Sequence, residues 1–66
     1  MSVVIVEMQA GHSVEEKRQL AKDMTQALVK MGEPVEDIQV IMRETPTSCW
    51  AQAGKLCSDW EIPHGA

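Results

Sequence analysis

The sequence has no phenylalanine and no tyrosine, and only two tryptophans and two cysteines among its 66 residues. Without Phe or Tyr the core must come from Val, Ile, Leu, Met and Ala. A chain this short buries only about 60% of its unfolded surface, so self-association is expected on core size alone. The cysteines, Cys49 and Cys57, match neither a CxxC redox pair nor a paired-cysteine zinc pattern. No metal site is therefore expected from Cys49, Cys57, His12 and His64, and nothing in the pattern points to a cofactor. Two cysteines with no signal peptide fit reduced thiols and a cytoplasmic location. No apolar stretch approaches the roughly 20 residues that cross a bilayer, which excludes a membrane span. Basic residues are scarce too. Six Lys and Arg against ten Asp and Glu give a formal charge of −4, which excludes the basic face that nucleic acid requires.

What the sequence does have begins at once. Val3-Val4-Ile5-Val6 is β-branched throughout with no polar alternation, which predicts a strand covered on both faces. The run begins one residue behind the initiator, so the chain terminus is part of the folded body and the first backbone nitrogen sits where it can be a reactive group. Gln9-Ala10-Gly11 breaks the strand. Ser13-Val14-Glu15-Glu16 then reads as a capping box, with Ser13 as N-cap and two acids in the first turn. Leu20, Met24, Ala27, Leu28 and Met31 form one apolar stripe, and Arg18, Lys22, Gln26 and Lys30 project elsewhere. Gly32 and Pro34 stop the helix, which the spacing predicts over about residues 14 to 31.

Pro34 to Asp37 reads as a turn, and Ile38 to Glu44 as a second strand with Ile38, Val40 and Met42 on one face and Gln39, Ile41 and Arg43 on the other. Strand, helix and strand make a βαβ unit with parallel strands. Two strands leave one sheet face poorly covered and both edges open, so the unit needs a twin. Cys49 to Leu56, with Ala53-Gly54 inside it, predicts a short hairpin suited to pairing with a neighbouring subunit. Residues 58–66 read as a tail. The whole chain, 1–66, forms one α/β (α+β) domain, with no repeat and no linker.

Several of these features occur together in one known pattern. A strand right behind Met1 is followed by Glu-x-x-x-Gly-His-Ser at 7 to 13 and Glu-Lys-Arg at 16 to 18. The strand Ile38 to Glu44, Pro46, Trp50, Ala51-Gln52-Ala53-Gly54-Lys55 and Ser58-Asp59 complete it. In order and spacing this resembles the 4-oxalocrotonate tautomerase family over about residues 2 to 60. The resemblance implies a βαβ subunit that dimerises into a four-stranded sheet backed by two helices, usually with three dimers in a hexamer. It also implies an isomerase in which an amino-terminal proline, exposed by removal of the initiator, is the general base on small enol or keto acids such as 2-hydroxymuconate. A low-polarity site and neighbouring positive charge lower the pKa of that amine, and arginines hold the substrate carboxylate.

The sequence departs from the family where the chemistry resides. Ser2 stands at the proline position, His12 at the arginine of the Gly-Arg-Ser segment, and Gln39 at a second arginine found in many members. Trp50 keeps the hydrophobic wall. Ser2 has three readings: a non-catalytic residue, a weak base through the α-amine left by methionine removal, with a free pKa of about 7.7 to 8.0, or a hydroxyl nucleophile. His12 either binds a carboxylate as an imidazolium at mildly acidic pH or is a solvated loop residue. Gln39 can donate a hydrogen bond but no charge. Arg43 either reaches a pocket of an adjacent subunit or pairs with Glu44 or Glu7. Trp50 walls a pocket or anchors an interface, and Trp60 is a lid or an interface plug. Two functions follow from the resemblance. One is a weak tautomerase, forming a homo-oligomer and using Ser2 as base and His12, Gln39, Arg43 and Trp50 as substrate-binding residues. The other is a non-catalytic partner in a hetero-oligomer whose second subunit carries the proline, or more simply an inactive variant of the enzyme.

Overall fold

A computed structural model describes residues 1–60 of the chain. The β-branched run lies in β1, Ser2–Gln9, which pairs in parallel with β2, Ile38–Thr45, in a register running from Ser2 opposite Ile38 to Gln9 opposite Thr45. The amide of Ala10 extends the ladder to the Thr45 carbonyl at 2.9 Å. Between the strands runs α1, Val14–Val29. Its start is the expected capping box: Glu16 N–H donates to Ser13 Oγ at 3.1 Å, and Ser13 N–H donates to Glu16 Oε1 at 2.9 Å.

The helix ends two residues short of the expected 31. Glu33 N–H donates to the Leu28 carbonyl at 3.2 Å and Gly32 N–H to the Val29 carbonyl at 2.9 Å, the Schellman pattern, with Gly32 at φ +97° where an L side chain is disfavoured. A 3-10 turn, Val35–Asp37, leads into β2.

The helix covers one sheet face. Ser2, Val4, Val6 and Met8 of β1 and Ile38, Val40 and Met42 of β2 are half-buried, as are Leu20, Ala21, Met24, Thr25, Leu28 and Val29 of α1. The expected stripe is thereby corrected at two positions. Ala27 is exposed because the buried face is centred between Ala21 and Met24, and Met31 is exposed because it lies past the helix end. Lys17 Nζ and Glu44 Oε1, 2.5 Å apart, tie the helix to β2.

The opposite sheet face is bare. Val3, Ile5 and Ile41 are 49%, 48% and 41% exposed, beside Glu7, Gln39 and Arg43 on the same face. The expectation that β1 is covered on both faces is not met within one chain. Among the described residues only Cys57 is fully buried. The radius of gyration, 14.9 Å, exceeds the roughly 11 Å of a compact domain of this length. One subunit does not close a core.

After β2, a 3-10 turn, Thr47–Cys49, precedes a hairpin smaller than the expected Cys49 to Leu56: β3, Ala51–Gln52, pairs antiparallel with β4, Lys55–Leu56. Ala53 and Gly54 form its two-residue turn at φ +54° and +77°, the sign pattern of a type I′ hairpin. Ser58 and Asp59, expected in the tail, belong to a 3-10 turn, Cys57–Asp59; residues 61–66 of that expectation, His64 among them, lie outside the described residues. No helix among the described residues is long and apolar enough to cross a membrane.

Candidate active site

Ser2 opens β1, and its position is fixed from two directions. Its backbone pairs opposite Ile38, and its hydroxyl donates a hydrogen bond to Glu33 Oε1 from the loop after α1. The residue ahead of it, Met1, is 85% exposed. The next register pair is Val3 opposite Gln39, so Gln39 is adjacent to Ser2 along the sheet. They do not share a face, however: Ser2 is half-buried on the helix side and Gln39 is exposed on the bare side.

His12 belongs to the other end. It follows the close of β1 and precedes the helix cap, and with Val6, Met8, Glu16 and Leu20 it lines a cleft of about 320 Å³ on the helix side of β1. Its Nδ1 stands 3.9 Å from Glu16 Oε2, one helical turn on. The Glu16 carboxyl is held below the usual carboxylate range, first by the Ser13 backbone N–H, then by the Ser13 hydroxyl and by the charge of His12. The surface lining the cleft is almost entirely apolar.

Arg43 pairs in register with Glu7, its Nε 4.0 Å from Glu7 Oε1 on the bare face, while Glu44 is taken by Lys17. Both members of the Arg43–Glu7 pair are about 60% exposed, so the pair contributes little to stability. Trp50 is half-buried five residues beyond the end of β2, and its carbonyl accepts the Cys57 N–H at 2.7 Å. Trp60 is 38% exposed with Lys55 Nζ 5.3 Å from its ring centre.

One chain therefore does not gather the five candidate residues. Ser2 and Gln39 stand at one end of the sheet, Arg43 toward the other, and His12 and Trp50 on segments leaving that far end. Two contacts escape the sequence reading. Glu33 carries no signal, because its bond to Ser2 spans 31 residues of chain. The approach of Glu16 to His12 has one, the i,i+4 spacing, beside the capping role that Glu16 also fills. Among the described residues no group of three or more His, Cys, Asp or Glu side chains could hold a metal ion.

The arrangement has known relatives. The family model for the tautomerase enzymes matches residues 3–59. A protein of Lactiplantibacillus plantarum described as a probable tautomerase is 39% identical over 62 residues, which is 92% of this chain and 97% of that one. The crystal structure of a 4-oxalocrotonate tautomerase homologue superposes with a TM-score of 0.86 at 36% identity, covering 94% of this chain and all of the other. A heterohexameric 4-oxalocrotonate tautomerase from Chloroflexus aurantiacus superposes with a TM-score of 0.82 at 25% identity, covering 89% and 97%. The family model spans nearly all of the chain and these relatives match it over nearly their full length, and on that basis the chain is a member of the tautomerase family.

Proposed function

We propose that the protein is an isomerase subunit that moves a proton on a small enol or keto carboxylate, such as 2-hydroxymuconate, with the α-amine of Ser2 as base after loss of Met1. The observation that carries this reading is the fixed position of Ser2: a residue held in register opposite Ile38 and hydrogen bonded through its side chain to Glu33 keeps its nitrogen at a defined place, as an orienting catalyst needs. Gln39 would offer a hydrogen bond to a substrate oxygen, with Arg43 or His12 contacting the carboxylate and Trp50 excluding water. Because Ser2 and His12 lie at opposite ends of one subunit, a pocket combining them draws residues from more than one copy. The bare apolar face of Val3, Ile5 and Ile41 supports such an assembly. Turnover is weak, since a primary amine with a freer φ than proline's is less preorganised, and a glutamine supplies less electrophilic help than an arginine.

The departures at Ser2, His12 and Gln39 favour a second reading, a non-catalytic partner subunit, and the heterohexameric relative gives a precedent for assembly from unlike subunits. Purifying the chain alone separates the two. A homogeneous oligomer with enol-to-keto turnover supports the enzyme. A monomer or aggregate that becomes a defined oligomer only with a proline-bearing relative supports the partner.

A further inference from the structure

Resting on the reading of Ser2 as an amine base, we infer that Glu33 is a positioning residue that also holds that amine in its protonated form near neutral pH, so that the base becomes available only in alkaline solution. Ser2 Oγ donates to Glu33 Oε1. The Oγ and the nitrogen of one serine are three bonds apart, so a carboxylate bonded to the first stands within about 6 Å of the second. A carboxylate at that range favours the charged ammonium and so pushes the amine pKa upward. The surroundings reinforce the effect. Along the chain, Lys30 lies three residues before Glu33, and Glu36 and Asp37 directly precede Ile38, the register partner of Ser2, three acids against one base. Within one subunit this balance opposes the positive setting that lowers an amine pKa, and Arg43 or His12 of a neighbouring copy acts against it. Glu33 thus fixes the nitrogen through the hydroxyl while delaying its loss of a proton.

The test reads the amine itself and needs no turnover, so an inactive protein leaves its outcome intact. The Ser2 α-amine of the mass-verified, demethionylated chain is titrated by nitrogen-15 NMR in the unmodified protein, in Glu33→Gln and in Glu36→Gln. The expected result is a pKa above the free value of about 7.7 to 8.0, lowered toward it by Glu33→Gln and moved by less than half as much by Glu36→Gln. At pH 7 this corresponds to faster acylation of the amine in Glu33→Gln. Equal pKa values in the unmodified protein and Glu33→Gln, or an equal drop in Glu36→Gln, would overturn the inference. Should Glu33→Gln lose its circular dichroism signal, Glu33→Asp, which withdraws the charge by one methylene, takes its place. A smaller downward shift is then expected, and no shift overturns the inference.

Discussion

Ser2 and His12 stand at opposite ends of one strand. His12 lies three residues past the end of β1 at Gln9 and shares its cleft with Val6 and Met8, so the stretch of strand from Ser2 to Val6, roughly 13 Å, separates Ser2 from the near wall of that cleft. A substrate of a few carbons cannot touch both in one subunit, so any site that uses both depends on assembly through the bare sheet face and the open edges.

Assembly should fail when that face is charged. Ile5, half exposed at the centre of the outer face, becomes a buried cation in Ile5→Lys if a second copy covers it, and an unpaired buried charge is strongly disfavoured. Sedimentation velocity is expected to show a shift from a defined oligomer to monomer or to unfolded chain. An unchanged oligomer would show that the face is not an interface.

The inner face makes the opposite test. Met24 sits mid-helix on the half-buried side, and Met24→Asp is expected to remove the cooperative thermal transition, a loss of about 2 to 5 kcal/mol of helix packing. A normally folded oligomer carrying that substitution would contradict the placement of the helix.

Much of this architecture is legible in the sequence. The capping box at Ser13 and Glu16, the stop at Gly32 and the β-branched runs are local signals, and local hydrogen bonds and sterics decide them. The stripe is legible only in part, because Met24 and Leu28 fit any rotation of the helix face whereas Ala27 and Met31 depend on how the helix is turned against the sheet. The candidate site is legible as a set of residues and not as a place. Periodicity puts Gln39 and Arg43 on one strand face, but nothing in it says that Ser2 lies on the other face or that Glu33 reaches it.

The helix start sets an acid limit. The Glu16 carboxyl titrates below its usual range because the folded state bonds its ionised form. The stability it contributes is therefore complete above the unfolded value of about 4.5 and is lost as pH falls through the lower, folded value. Glu16→Gln is expected to flatten thermal stability across that acid window and to lower it at pH 7, where the ionised carboxylate contributes in full. Ser13→Ala is expected to lower stability by about 1 kcal/mol at neutral pH. An acid-side slope that survives Glu16→Gln would assign it to another carboxylate.

The hairpin turn carries strain at Ala53, the one non-glycine residue with positive φ among those described. Asparagine tolerates that conformation better, so Ala53→Asn is expected to stabilise the chain by about 0.5 to 1 kcal/mol, read as a rise in the denaturant midpoint. A lower midpoint would mean that the Ala53 methyl group makes a contact worth more than the strain.

Restoring the family's residue at the start of β1 tests the pocket. Ser2→Pro, with methionine removal confirmed by mass, replaces a primary amine by a preorganised secondary one. It is expected to raise 2-hydroxymuconate turnover by at least about tenfold, within the usual range of a positioned general base. No gain would mean that the surrounding pocket no longer fits the reaction.

The most direct measurement is enol-to-keto conversion of 2-hydroxymuconate by the purified oligomer, made on chain shown by mass to begin at Ser2 and repeated after acetylation of its α-amine. Slow turnover that increases with pH and disappears on acetylation is expected if Ser2 is the base. Turnover that survives acetylation, or none from an intact oligomer at any pH, would contradict it and leave a subunit that has the family fold without the reaction.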